Sequence, residues 1–150
     1  MELTPSQKGA LADAAFAFHA VRLGMGVSRP LAEGERYDLI LDMRSRLVRV
    51  QCKWGARRRD VIEVHLRTHR WTPNGSISTT YNAEEVDAFG IYCVDLDRCY
   101  LVPITLLSGR RGIHLRLAPC RNNQESGVNW ASKYELGAIA QLGERRAGSA

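Results

Sequence analysis

Apolar and polar positions alternate twice in YDLILDMRSRLVRVQCKW, residues 37–54, with a polar break in the middle. The period of two predicts two strands joined by a tight turn at Arg44 and Ser45. Upstream, Thr4–Leu23 predicts a helix: Thr4 or Ser6 can cap it, Pro5 suits its first turn, and Gly24 and Gly26 end it. A short strand near Val27 and the loop PLAEGE lead to the hairpin. Ile62, Val64 and Leu66 alternate in a further strand over 61–66. Residues 67–81 hold Pro73, Asn74 and Gly75 and predict a loop or loose hairpin. Asn82 is then expected to cap a short helix, AEEVDAF. Two strands, GIYCVDL and CYLVPI, turn tightly around Asp97, and IHLRL supplies the last strand. Uninterrupted apolar runs such as GIYCVDL suit a strand covered on both faces. The order predicts an α/β domain with a central mixed sheet flanked by helices.

Composition narrows the class. With 150 residues, 45% hydrophobic and 25% charged, the chain suits one globular domain. No apolar run approaches the roughly 20 residues of a membrane span, so no membrane partner is expected. The start, MELTPSQKG, lacks the form of a signal peptide. Cys52, Cys93, Cys99 and Cys120 are scattered without a CxxC pair, which predicts reduced thiols in a cytoplasmic protein rather than a zinc site. A net charge of +5 favours an anionic partner.

The hairpin's faces carry the chemistry. An even loop pairs position 38 with 51 and 36 with 53, stacking apolar face on apolar face. Asp38 then lies about 5 Å across from Gln51, and Asp38, Gln51 and Lys53 share one surface. In the first helix, Asp13 is the only formally charged side chain from Gly9 to Val21. A helix so apolar packs on the sheet, and an unpaired buried carboxylate costs several kcal/mol. A cation would offset that cost. If the helix leans over the polar face, two carboxylates and an amide oxygen surround one point beside an ammonium, and hard oxygen ligands of that kind suit Mg²⁺.

These residues resemble a known pattern. An acid on the first helix, an aspartate opening a strand and a (D/E/Q)-x-K on its neighbour make up the PD-(D/E)xK nuclease arrangement. Here the set is Asp13, Asp38 in RYDLILD, and Gln51-Cys52-Lys53 in RVQCK. The likeness is strongest to the small group I intron homing endonucleases of cyanobacterial type, which also use glutamine in the third position. SQKGALAD, YLVPI and NNQESGVNWASKYEL extend it over most of residues 4–136. Tyr37 stands in place of the proline, and Asp13 stands where glutamate is usual, one methylene shorter. The resemblance implies a PD-(D/E)xK core over 1–137 and Mg²⁺, or Mn²⁺ in its place. The ion would be held by Asp38, Gln51, the Cys52 carbonyl and Asp13, directly or through water, with Lys53 orienting or deprotonating the attacking water. It also implies a homodimer or homotetramer on double-stranded DNA in a bacterial cytoplasm.

Basic residues cluster after the motif: Arg57, Arg58, Arg59, Arg67, His69 and Arg70, then Arg110 and Arg111, with Arg116 and Arg121 beyond. Beside a phosphodiesterase site they are expected to track phosphates. The 68–81 segment carries side chains able to reach base edges. A Holliday-junction resolvase or repair nuclease of the same fold, or a DNA-binding module with a decayed site, are the competing readings. The terminal AIAQLGERR can be written in codons resembling the D-arm of a tRNA gene, which would make 138–150 a read-through tail outside the folded domain.

Overall fold

Thr4 fixes where the first helix starts. Its hydroxyl accepts from the Gln7 N–H at 3.2 Å, and Gln7 Oε1 accepts from the Thr4 N–H at 2.9 Å, with Pro5 in the first turn. The computed structural model describes residues 1–123 and 126–141, and the side chains of 68–71 and 78 lie outside that description. Helix α1 (Pro5–Arg22) is followed by β1 (Gly26–Ser28), β2 (Leu39–Asp42), β3 (Leu47–Arg58), β4 (Val61–His65), β5 (Thr68–Thr72) and β6 (Gly75–Thr79). Then come β7 (Ala88–Cys93), β8 (Arg98–Pro103), a 3-10 turn (Ile104–Leu106), β9 (Gly112–Arg116) and α2 (Ala131–Tyr134).

Seven strands form one mixed sheet. Its path runs β1-β2-β3-β4-β9, and β7, which carries β8, pairs with β3. All pairings are antiparallel except β3–β7, where Val50–Trp54 runs parallel to Ala88–Tyr92. β5 and β6 form a separate hairpin, the tighter of the two forms expected for 67–81. The even-loop register holds in β2–β3: Leu39 pairs with Val50 and Leu41 with Val48. Met43 N–H donates to Arg46 O at 2.9 Å, and Arg44 takes φ +65°, the positive value a two-residue hairpin turn requires.

Alternation sorts the core into two clusters. Ala12, Phe16 and Ala20 of α1 pack on Leu39, Leu41, Val48, Val50 and Cys52. On β7 and β8, Phe89, Ile91, Tyr100 and Val102 point the other way, into a cluster completed by Tyr81, Ile104, Leu107 and Ala131. One long helix therefore covers one face, and short turns with α2 cover the other. Every residue of β7 is buried, as its unbroken apolar run predicts. A Cβ on Gly90 would come within 2.7 Å of the Phe16 ring, so glycine lets α1 lie directly on β7.

The helix expected from Asn82 does not form. Asn82 Oδ1 instead accepts from the Glu84 N–H at 2.9 Å and its carbonyl from the Val86 N–H at 3.2 Å, closing a single turn. Ala88 already pairs with Val50 and Pro103, leaving no chain for a second turn. Near the C-terminus, residues 136–141 are helical, and Leu136 and Ile139 pack with the α1 cluster. Residues 142–150 of the tail expected to be read-through lie outside the described residues.

Candidate active site

The site forms where β2 begins, and a local irregularity shapes it. Asp38 N–H donates to Val50 O at 2.8 Å, although Leu39 is the residue in register with Val50. Two residues thus oppose one, a bulge, and a bulge re-aims the side chain it carries. Asp38 does not sit in regular pairing across from Gln51; its Oδ2 accepts from the Cys52 N–H at 2.8 Å. A second expectation also changes. α1 covers the apolar face of the hairpin, not its polar face, because Ala12 and Phe16 seek Leu39 and Val50. Asp13 still comes close enough to Asp38 for the two charges to repel, and both act on the Cys52 thiol.

Gln51 and Lys53 follow on β3, each half-buried and on the face opposite Val50 and Cys52. Lys53 Nζ lies 5.0 Å over the ring of Tyr81, and the Arg36 guanidinium lies 4.0 Å from the same ring. Burial pushes the Lys53 ammonium below its usual range, while the Asp38 charge pulls it back. Burial lifts the Asp38 carboxyl above the usual carboxylate range; the Cys52 N–H lowers it, Asp13 raises it, and Lys53 and Arg29 lower it. Burial, followed by the two carboxylates, holds the Cys52 thiol well up and protonated.

Asp38 thus rests on the Cys52 backbone, and Asp13 and Lys53 lie close enough for their charges to act on it. Arg29, Arg36 and Tyr81 are additions that no motif signalled. Arg29 Nη1 donates to Asp13 Oδ2 at 2.7 Å, whereas Asp13 Oδ1 is buried without a hydrogen-bond partner. That orphaned oxygen, the Asp38 carboxylate and the Cys52 carbonyl, on the same strand edge as its N–H, make a hard-oxygen donor set that fits a divalent cation. Among the described residues no three His, Cys, Asp or Glu side chains converge on one point.

The basic residues lie farther along β3 and on β9. Arg57, Arg58 and Arg59 are exposed at the β3–β4 turn, and Arg110 and Arg111 are exposed before β9. Arg58, Arg59, Arg116 and Arg121 line one cleft. Arg67 is half-buried, and the side chains of His69 and Arg70 lie outside the described residues. The four cysteines are free thiols, and no helix among the described residues is long and apolar enough to cross a membrane.

Comparison with known proteins agrees with this architecture. The chain is similar in structure to a bacterial homing endonuclease, I-Ssp6803I, with a TM-score of 0.69, 22% identity and 97% of each chain covered. No curated protein sequence matches it. A profile of the PD-(D/E)XK endonuclease family matches residues 3–137, nearly all of the folded chain, and the protein belongs to that family of endonucleases.

Proposed function

We propose that this endonuclease is a site-specific, Mg²⁺-dependent enzyme of the homing type, cutting double-stranded DNA in a bacterial cytoplasm as a homodimer or homotetramer. The observation that carries the reading is the Asp38 carboxylate held on the Cys52 N–H, with the charges of Asp13 and the half-buried Lys53 acting on it. Asp38, the Gln51 amide oxygen, the Cys52 carbonyl and Asp13 would hold the cation. When bound, a divalent cation makes a water nucleophilic and offsets charge on the phosphate.

The chain's own groups supply the rest. Lys53, with its ammonium disfavoured by burial, can as the neutral amine accept a proton from a water in line with the phosphorus, and the ammonium so formed favours the anionic transition state. Tyr81, 3% exposed, lies under Lys53 Nζ and limits where the nitrogen can swing. Asp38 is fixed by the Cys52 N–H, so its other oxygen remains available. Exposed Arg57, Arg58 and Arg59 extend from the same strand and would hold the phosphate backbone while the site acts. A duplex has two antiparallel strands and one chain has one such site, so a double-strand cut calls for at least a symmetric pair.

The test is cleavage of plasmid libraries with Mg²⁺, followed by sequencing of the ends, for wild type and Lys53→Ala. Discrete positions lost in the variant are expected. Preference for four-way junctions would replace the homing reading with a resolvase. Duplex binding without any cutting would replace it with a decayed binding module.

A further inference from the structure

Arg29 follows β1 and belongs to none of the motifs that carry the nuclease pattern. Its guanidinium meets the Asp13 carboxylate by one oxygen only, Nη1 to Oδ2 at 2.7 Å. The second oxygen of that carboxylate is buried and has no hydrogen-bond partner. A residue whose task was to neutralise Asp13 would be expected to lay its fork across both oxygens, the stronger geometry for arginine and a carboxylate. Here the fork takes one oxygen and leaves the other bare, on a carboxylate whose charge acts on both Asp38 and Cys52.

We infer that Arg29 is a positioning residue for the metal site: it grips Asp13 by Oδ2 so that Oδ1 is offered to the cation shared with Asp38. The inference rests on the metal-dependent reading above. Aspartate is a methylene shorter than glutamate, so its reach is narrower and its orientation matters more. An outer partner that fixes a ligating carboxylate is a general means of setting metal affinity. Arg29 reaches Asp13 from the segment after β1, where it lines one pocket with Tyr37 and Asp38. Its side chain is about half exposed, so replacing it removes little packing.

Two other roles make opposite demands. A guanidinium that merely stands in for the cation would be displaced on binding, and its removal would tighten metal affinity. One that contacts phosphate alone would leave metal affinity untouched.

The test is Mn²⁺ binding to the full chain, read by loss of the free-ion electron paramagnetic resonance signal. Wild type, Arg29→Ala, Arg29→Gln, Arg29→Lys and Asp38→Asn are compared, with circular dichroism confirming that each is folded. Arg29→Ala and Arg29→Gln are expected to weaken binding about 10- to 100-fold, with partial recovery in Arg29→Lys and little change in melting temperature. Unchanged or tighter binding in the folded Arg29 variants overturns the inference and leaves the metal-dependent reading standing. Absence of Mn²⁺ binding in wild type, or binding indifferent to Asp38→Asn, overturns both.

Discussion

Asp38 and Leu39 both oppose Val50, and that one extra residue decides which groups meet the Asp38 carboxylate. Alternation alone places Asp38 on the face of Gln51 and Lys53; the bulge turns it instead toward the Cys52 N–H and within reach of Asp13. The residue types of the motif are readable from the chain because they sit on two adjacent strands and one helix. The bulge is not, since a one-residue insertion into a ladder leaves no mark on a short apolar pattern. Arg29 and Tyr81 leave no signal for a different reason: each meets its partner, Asp13 or Lys53, across a separation that periodicity does not span. Gln51 allows a direct probe of the ligand set. Gln51→Glu adds one negative charge and should tighten divalent-cation binding while retaining cleavage, so that the Mg²⁺ needed for half-maximal cutting falls. Loss of cutting at every Mg²⁺ concentration would exclude Gln51 from the ligands.

At the scale of elements, α1 and β7 approach each other closely at Gly90. Gly90→Ala would force Cβ against the Phe16 ring and Val50, both under 3.0 Å away, and should destabilise the protein by about 1–3 kcal/mol in urea unfolding. A glycine inside a strand signals close backbone approach, but the sequence reading starts the strand at Gly90, so this feature shows only once β7 is seen to begin at Ala88. The turn after Asn82 reads as a helix in sequence because its Asn, Ala and Glu residues suit both forms. Tertiary ties decide it: Arg49 donates to Ala83 O, Glu84 O and the Asp87 carboxylate, fastening the turn to β3. The Arg49 side chain holds the Asp87 carboxyl below its ordinary value of 3.8. A carboxylate with a lowered folded pKa stabilises the fold above its unfolded value and loses that effect as pH falls through the folded one. Asp87→Asn should therefore lower the melting temperature at pH 7, and the gap from wild type should close below about pH 3.8. A gap independent of pH would mean that the carboxylate's charge is not what matters.

Across the whole molecule the net charge is +5, and part of it stands in a run of exposed arginines. Arg57, Arg58 and Arg59 are exposed at one end of β3, and the Arg116–Arg121 cleft adjoins them. Replacing all three with alanine should weaken duplex binding and reduce the slope of log affinity against log salt by about 1 for each phosphate no longer neutralised. An unchanged slope would move the DNA path away from this turn. The overall α/β architecture is legible from the order of strands and helix, and β3 as a strand from its alternation. Its full length of twelve residues, and its sharing among three partners, are not, because pairing across a sheet is set by chain segments far apart in sequence.

That sharing has a consequence for how the enzyme comes into being. β3 pairs in parallel with β7, which emerges only after β4 and the β5–β6 hairpin have been made, and α1 packs on β7 and β8 as well as on β3. Parallel pairing between such distant segments is slow to nucleate. A nascent chain still tethered to the ribosome carries Asp13, Asp38 and Lys53 long before β7 exists to hold α1 and β3 in place. Competence as an endonuclease thus arrives late in synthesis, and truncated products that end before Ala88 should show no nuclease activity.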